Sequence, residues 1–127
     1  MNALFANPAK AYRKIELDAR IEASSGIGLT VICLEEAIAD LRLALRALER
    51  DRTKPPVEPL SRAHGIALYL ARTVDPASPL GDAMVQFYGG LAATIASNMR
   101  SASAGEIARV RDDFADILAA AKAGGAS

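Results

Sequence analysis

The chain has no tryptophan, one cysteine, one histidine and no surplus of charge of either sign. Each shortage removes a class of protein. Cys33 has no partner for an internal disulfide, and its place between Ile32 and Leu34 suits a small core residue. With His64 as the one imidazole, a tetrahedral zinc shell stays mostly empty. Carboxylate di-iron bundles need Glu-x-x-His pairs on facing helices and fail on the same ligand count. No metal or cofactor is expected, and an enzyme is not the expected class. Fifteen basic residues against fifteen acidic ones give a formal net charge of zero, so a general electrostatic hold on nucleic acid or anionic lipid is missing. No apolar run reaches the length that spans a bilayer. The opening MNALFANPAKAYRK has no continuous apolar stretch ahead of a cleavage site. The expectation is a soluble, cytoplasmic protein with no nucleic-acid partner and no membrane insertion.

What the chain does have is aliphatic periodicity. Its 127 residues, 51% hydrophobic and 5% aromatic, suffice for one domain with an alanine- and leucine-rich core. From Ser25 to Asp51 the apolar residues Ile27, Val31, Leu34, Ile38, Leu41, Leu45 and Leu48 recur in alternating steps of four and three. That spacing draws a stripe along one side of a long α-helix, with Ser25 as the expected cap. RDRTKPPVEP breaks the pattern. A second helix is expected with Pro59 in its first position and Leu60, Ala63, Ala67, Leu70 and Val74 on its inner face. A third follows DPASP, capped by Ser78, with Leu80, Met84, Phe87, Leu91, Ile95 and Met99 as its buried row. Ser103 and Glu106 have capping-box spacing ahead of a fourth stripe, Ile107, Val110, Phe114, Ile117 and Ala121. Gly124-Gly125 ends it.

Four amphipathic helices joined by short connections predict an all-α, antiparallel up-and-down four-helix bundle. Ahead of them, Asn7-Pro8 predicts a short helix. Residues 15–23 then alternate apolar and charged side chains with period two, which reads as an extended arm against apolar surface. A continued helix competes with that reading, since Glu, Leu, Ala and Arg favour helix. The organisation expected is an N-terminal capping arm over 1–24, the bundle over 25–122 and a flexible tail over 123–127.

Few residues suggest chemistry. Glu35-Glu36 and Asp112-Asp113 are adjacent carboxylates, which point about 100° apart on a helix and share no acid–base site. Gly26-x-Gly28 at a helix start lacks the strand and the Lys-Ser/Thr pair of a phosphate loop. Histidine phosphotransfer domains are four-helix bundles of this size with an exposed histidine, followed by lysine three positions on and glycine four on. After His64 those positions hold Ala67 and Leu68. Gly89-Gly90 is odder: two glycines inside a helix cost on the order of 1 kcal/mol each relative to alanine. Either a neighbouring helix of the bundle comes close there, or the helix of another chain does.

The chain resembles the flagellin export chaperones, the FliS family. Three patches carry the resemblance, which spans nearly the whole chain. The first is Ala11-Tyr12 with the following arm Ala19-Arg20-Ile21-Glu22-Ala23. The second is the long helix begun by Ser25, with Leu29 and then Cys33-Leu34-Glu35-Glu36-Ala37 where the family has Leu-Tyr-Asp-Gly-Ala. The third is Pro79-Leu80, Phe87-Tyr88-Gly89 where the family has Leu-Tyr, and the closing Asp113-Phe114-Ala115-Asp116-Ile117. Leu34 in place of tyrosine and Glu36 in place of glycine depart from the pattern.

The resemblance implies a cytoplasmic, non-enzymatic chaperone. Such a protein binds the disordered C-terminal segment of new flagellin, prevents its early polymerisation and delivers it to the flagellar type III export gate. The partner-binding residues expected are Tyr12 and Ile21 near the arm, Leu29, Ile32 and Leu34 on the long helix, and Tyr88 with Gly89. Two other readings stand beside it: a phosphotransfer bundle using His64, and a structural bundle that self-associates as a weak homodimer.

Overall fold

The computed structural model describes residues 26–125, and these form four α-helices with no strand among them. They are α1 (Ile27–Arg50), α2 (Val57–Thr73), α3 (Gly81–Arg100) and α4 (Ala104–Gly125). Each helix packs on its chain neighbours, α1 packs on α4, and the backbones of neither diagonal pair come close. With short connections between them, this closes an up-and-down four-helix ring. The expected arm over 1–24 and the Ser25 cap lie outside the described residues.

The core is aliphatic. Leu34, Leu41, Ala44, Leu60, Ala63, Ala67 and Phe114 have no exposed surface, and Ile95 and Ile107 are almost as deep. The helical steps of α1, α2 and α4 therefore chose the inner face correctly except at Ile27, which begins the α1 stripe and is 52% exposed. Two polar side chains are buried with them, Asp40 and Asn98. Arg62 of α2 donates from Nε to Asp40 Oδ1 at 3.0 Å, joining α2 to α1 beneath an exposed guanidinium. Among the described residues every buried side-chain nitrogen or oxygen has a hydrogen-bond partner.

The helix starts differ from expectation. Gly26 occupies the cap position of α1 at φ +57° with no side-chain cap, a left-handed conformation that glycine adopts without a Cβ penalty. Helix α2 begins at Val57, so Pro59 sits in the third position. Proline fits there because amide groups of the first turn have no intrahelical acceptor. Before α3, the Asp75 carboxylate accepts from Ala77 N–H at 2.9 Å and the Ser78 hydroxyl accepts from Leu80 N–H at 3.4 Å. These successive turns postpone the helix to Gly81, and Ser78 shapes a turn instead of capping α3. Gly81 is required: a Cβ there would lie 2.8 Å from the carbonyl oxygen of Asp75.

The buried row of α3 keeps Leu91 and Ile95 of the expected one, with Met84 and Met99 half-buried against the core, and departs from it elsewhere. Tyr88, Leu91, Ala92, Ile95 and Asn98 face inward, whereas Leu80 and Phe87 are 67% and 40% exposed. Leu80 belongs to the preceding turn. Phe87 faces a seam that the neighbouring helix does not close. At the far end, α4 continues through 123–125, residues expected in a flexible tail. Terminal glycines weaken a helix without by themselves stopping it.

Candidate partner-binding site

Three seams of the ring are well packed and the fourth, between α3 and α4, is sparse. Its closed end is the turn 101–103, held by the amide of Asn98. Asn98 Nδ2 donates to Glu106 Oε1 at 3.0 Å and to the carbonyl of Thr94 at 2.9 Å, while Asn98 Oδ1 accepts from Ser103 N–H at 2.6 Å. Ser103 Oγ accepts from Glu106 N–H at 3.2 Å, one half of the expected capping box. The other half is replaced, since the Glu106 carboxylate turns to Asn98 and Ser103 N–H takes the Asn98 oxygen. The substitution is chemically even, because every donor and acceptor in the exchange keeps a partner.

Beyond this clasp the helices diverge. A groove of about 480 Å³ runs between Gln86, Phe87, Gly90, Leu91 and Thr94 of α3 and Glu106, Arg109, Val110 and Asp113 of α4. Its sequence explains its openness. The facing positions are mostly polar, charged or without a side chain, and Phe87, Leu91 and Val110 alone supply apolar contact of any size. Such a seam gains too little from closure to pull two helices together. From Gln86 to Thr94 the groove follows about two turns, roughly 12 Å.

Gly89 and Gly90 are both exposed, and a Cβ built on either would meet nothing within 4 Å. No helix of this bundle approaches them. The first explanation for the glycine pair therefore fails, and the open surface is the one that stands. Thr94 Oγ1 donates back to the carbonyl of Gly90 at 3.1 Å, which gives the hydroxyl a partner without adding to the stability of the helix.

The residues expected at a partner surface do not form one surface. Tyr12 and Ile21 lie outside the described residues. Leu34 has no exposure, Ile32 has 4% and Tyr88 has 4%. Leu34 and Tyr88 belong to the central core, so a partner reaches neither without opening the bundle and their assignment to partner contact is corrected to structural packing; Ile32 is buried on α1 outside that cluster. Leu29 lines a separate depression of about 280 Å³ with Thr30 of α1 and Tyr69 and Thr73 of α2. Gly89 alone is freely accessible, beside the groove that its neighbour Gly90 lines. The sequence reading missed Phe87, placing it in the core row, and missed Arg109, Val110 and Asp113. The glycine pair was the signal that pointed here.

Hydrogen bonds from the Thr53 hydroxyl and N–H hold the exposed Asp51 carboxyl below its ordinary pKa, and two groups on the inner side of the helices are shifted the other way. Burial, and after it the carboxylate of Glu36, pushes the Cys33 thiol above its ordinary pKa. Burial, and after it Cys33, pushes the Tyr88 phenol up as well. Neither group lines the groove. His64 is partly exposed on α2. Among the described residues no cluster of His, Cys, Asp or Glu could hold a metal ion, and no helix is long and apolar enough to cross a membrane. Comparison with protein-family models, with curated proteins and with solved structures gave no match in any of the three.

Proposed function

We propose that the chain is a cytoplasmic, non-enzymatic export chaperone of FliS type. It holds the C-terminal segment of flagellin, part of it as an amphipathic helix laid in the α3–α4 groove. It thereby masks flagellin's polymerising surface until delivery to the type III export gate. The observation that carries this reading is the glycine pair, whose backbone is open to solvent beside an unclosed seam. Helices ordinarily pack at 8–10 Å between axes according to the side chains at the contact, and glycines allow the near end of that range. A partner helix gains close backbone contact there, while Phe87 offers it an aromatic anchor and Arg109 and Asp113 offer rim charges.

Ordering a disordered tail costs about 2–5 kcal/mol or more. At 25 cal/mol/Å², offsetting that cost takes roughly 80–200 Å² of apolar surface in addition to what covers the cost of association itself. Phe87 and Val85, both exposed on α3, are available to contribute to that area.

Size-exclusion chromatography of the protein with a flagellin C-terminal peptide tests the reading. A one-to-one complex is expected, and a pull-down from flagellated cells should return flagellin as the dominant bound protein. Migration of the protein as a symmetric dimer that ignores the peptide would instead assign the exposed surface to self-association.

A further inference from the structure

On the other side of α4 lies a second depression, and its chemistry differs. A cleft of about 720 Å³ opens at the C-terminal end of α1, between that helix and the start of α4. Its floor is apolar, made by Leu45, the buried Leu48 and Ala108. Arginines surround it: Arg42, Arg46 and Arg52 from the α1 side and Arg111 from α4, against Glu49 as the one carboxylate of the lining. The Arg111 Nε donates to the exposed Asp112 at 3.1 Å. Arg42, Arg46 and Arg52 are exposed, and no ion pair among the described residues engages them.

This is a local excess of positive charge in a chain whose formal net charge is zero. Arg42 and Arg46 stand four residues apart, where like charges work against the helix that carries them. A shallower depression of about 270 Å³, lined by Ala39, Arg42, Leu43 and Arg46, continues the surface across α1. The same two arginines thus border apolar floors on both sides.

We infer that this cleft docks an acidic amphipathic helix of a partner protein. The inference is independent of what occupies the α3–α4 groove. Arg42 and Arg46 are one turn apart, roughly 6 Å along the axis, which matches carboxylates at i and i+4 of an apposed helix. The partner's apolar stripe settles on Leu45 and Leu48. The alternatives fit less well. Among the described residues no aromatic side chain lines the cleft to stack a nucleobase. A concave hollow with an apolar floor offers a bilayer no continuous surface to lie on. A small anion would leave most of the volume and all of the floor unused.

The test uses the full chain and a fluorescein-labelled synthetic helix of ~16 residues, about four turns. It carries glutamates at i and i+4 beside a leucine–alanine stripe, and a second peptide has every glutamate replaced by glutamine. Anisotropy at low ionic strength should show the glutamate peptide bound at least about tenfold more tightly than its glutamine counterpart, with binding weakened by salt. The variant Arg42→Gln/Arg46→Gln should lose about tenfold or more of that affinity. Both side chains are exposed, so its melting temperature should match the parent's. Arg72→Gln, an exposed arginine away from the cleft, should bind as the parent does. Equal binding of the two peptides, no binding of either, or full retention by the double variant overturns the inference. So does tighter, Arg42/Arg46-dependent binding of single-stranded RNA or of phosphatidylserine vesicles, which would give the cleft to another class of ligand.

Discussion

The two seams that flank α4 are built from the same helix and behave in opposite ways. Toward α1, α4 presents Ile107, Phe114 and their aliphatic neighbours to the core, and the helices pack closely except where the arginine-rimmed cleft opens at the start of α4. Toward α3 it presents Glu106, Arg109 and Asp113 around a single Val110, and the seam opens once the Asn98 clasp is passed. In a bundle whose net stability is a small difference between large terms, three closed seams suffice to fold it. The fourth is then free to be used. That contrast separates residues that hold the protein together from residues available to a partner.

The contrast breaks most visibly at Leu34. As a core residue it should lose about 2–5 kcal/mol on change to alanine, read as a fall in denaturant midpoint, and Leu34→Asp should not fold. If Leu34→Asp folds normally but fails to bind the peptide, Leu34 belongs to the partner surface after all. Next in size is the clasp. Asn98→Ala strips partners from Ser103 N–H and from the Glu106 carboxylate, and should cost about 1–3 kcal/mol. Its loss should loosen the 101–103 turn, seen as faster amide exchange there than in the α1–α2 connection.

Gly90→Ala sharpens the comparison because its two readouts move apart. Nothing in the bundle contacts a Cβ at that position, so the free protein should gain up to about 1 kcal/mol from helix propensity. Peptide binding should weaken if a partner helix lies against the Gly90 backbone. A stabilised protein with undiminished binding would place the partner elsewhere. This is the familiar exchange of stability for an accessible site.

The smallest effect concerns pH. Cys33 and Tyr88 both have pKa values raised by burial, so the folded state holds their protons more tightly than the unfolded state does. That contribution to stability is complete below the ordinary pKa of each group. It is lost as pH rises through the raised value in the fold. Stability should therefore decline gently in the alkaline range, and Cys33→Ser should flatten the part that begins near the ordinary thiol pKa. Alkylation of Cys33 at neutral pH should be slower than that of a free thiol.

Much of the fold was readable because three-and-four spacing is a direct image of helix burial. It located four helices and most of the core. It failed where local hydrogen bonding outweighed periodicity. Asp75 and Ser78 diverted the chain into turns before α3, and Asn98 captured Glu106 from its capping partner. The site was less readable for a different reason. Phe87 has the spacing of a core residue, and only the absence of a closing helix leaves it exposed. Leu34 and Tyr88 were drawn toward the partner surface by resemblance, whereas burial places them inside. The glycine pair was informative because its cost had no visible compensation in the sequence.

The central claim is that the α3–α4 seam, and not the α1–α2 depression, receives the flagellin segment. Backbone NMR of the labelled protein titrated with a flagellin C-terminal peptide tests it most directly. The prediction is that shift changes concentrate on Phe87, Gly89, Gly90, Thr94, Arg109, Val110 and Asp113, and fade in Gly90→Ala. Changes centred on the α1–α2 depression around Leu29 and Tyr69, with the seam silent, would contradict it.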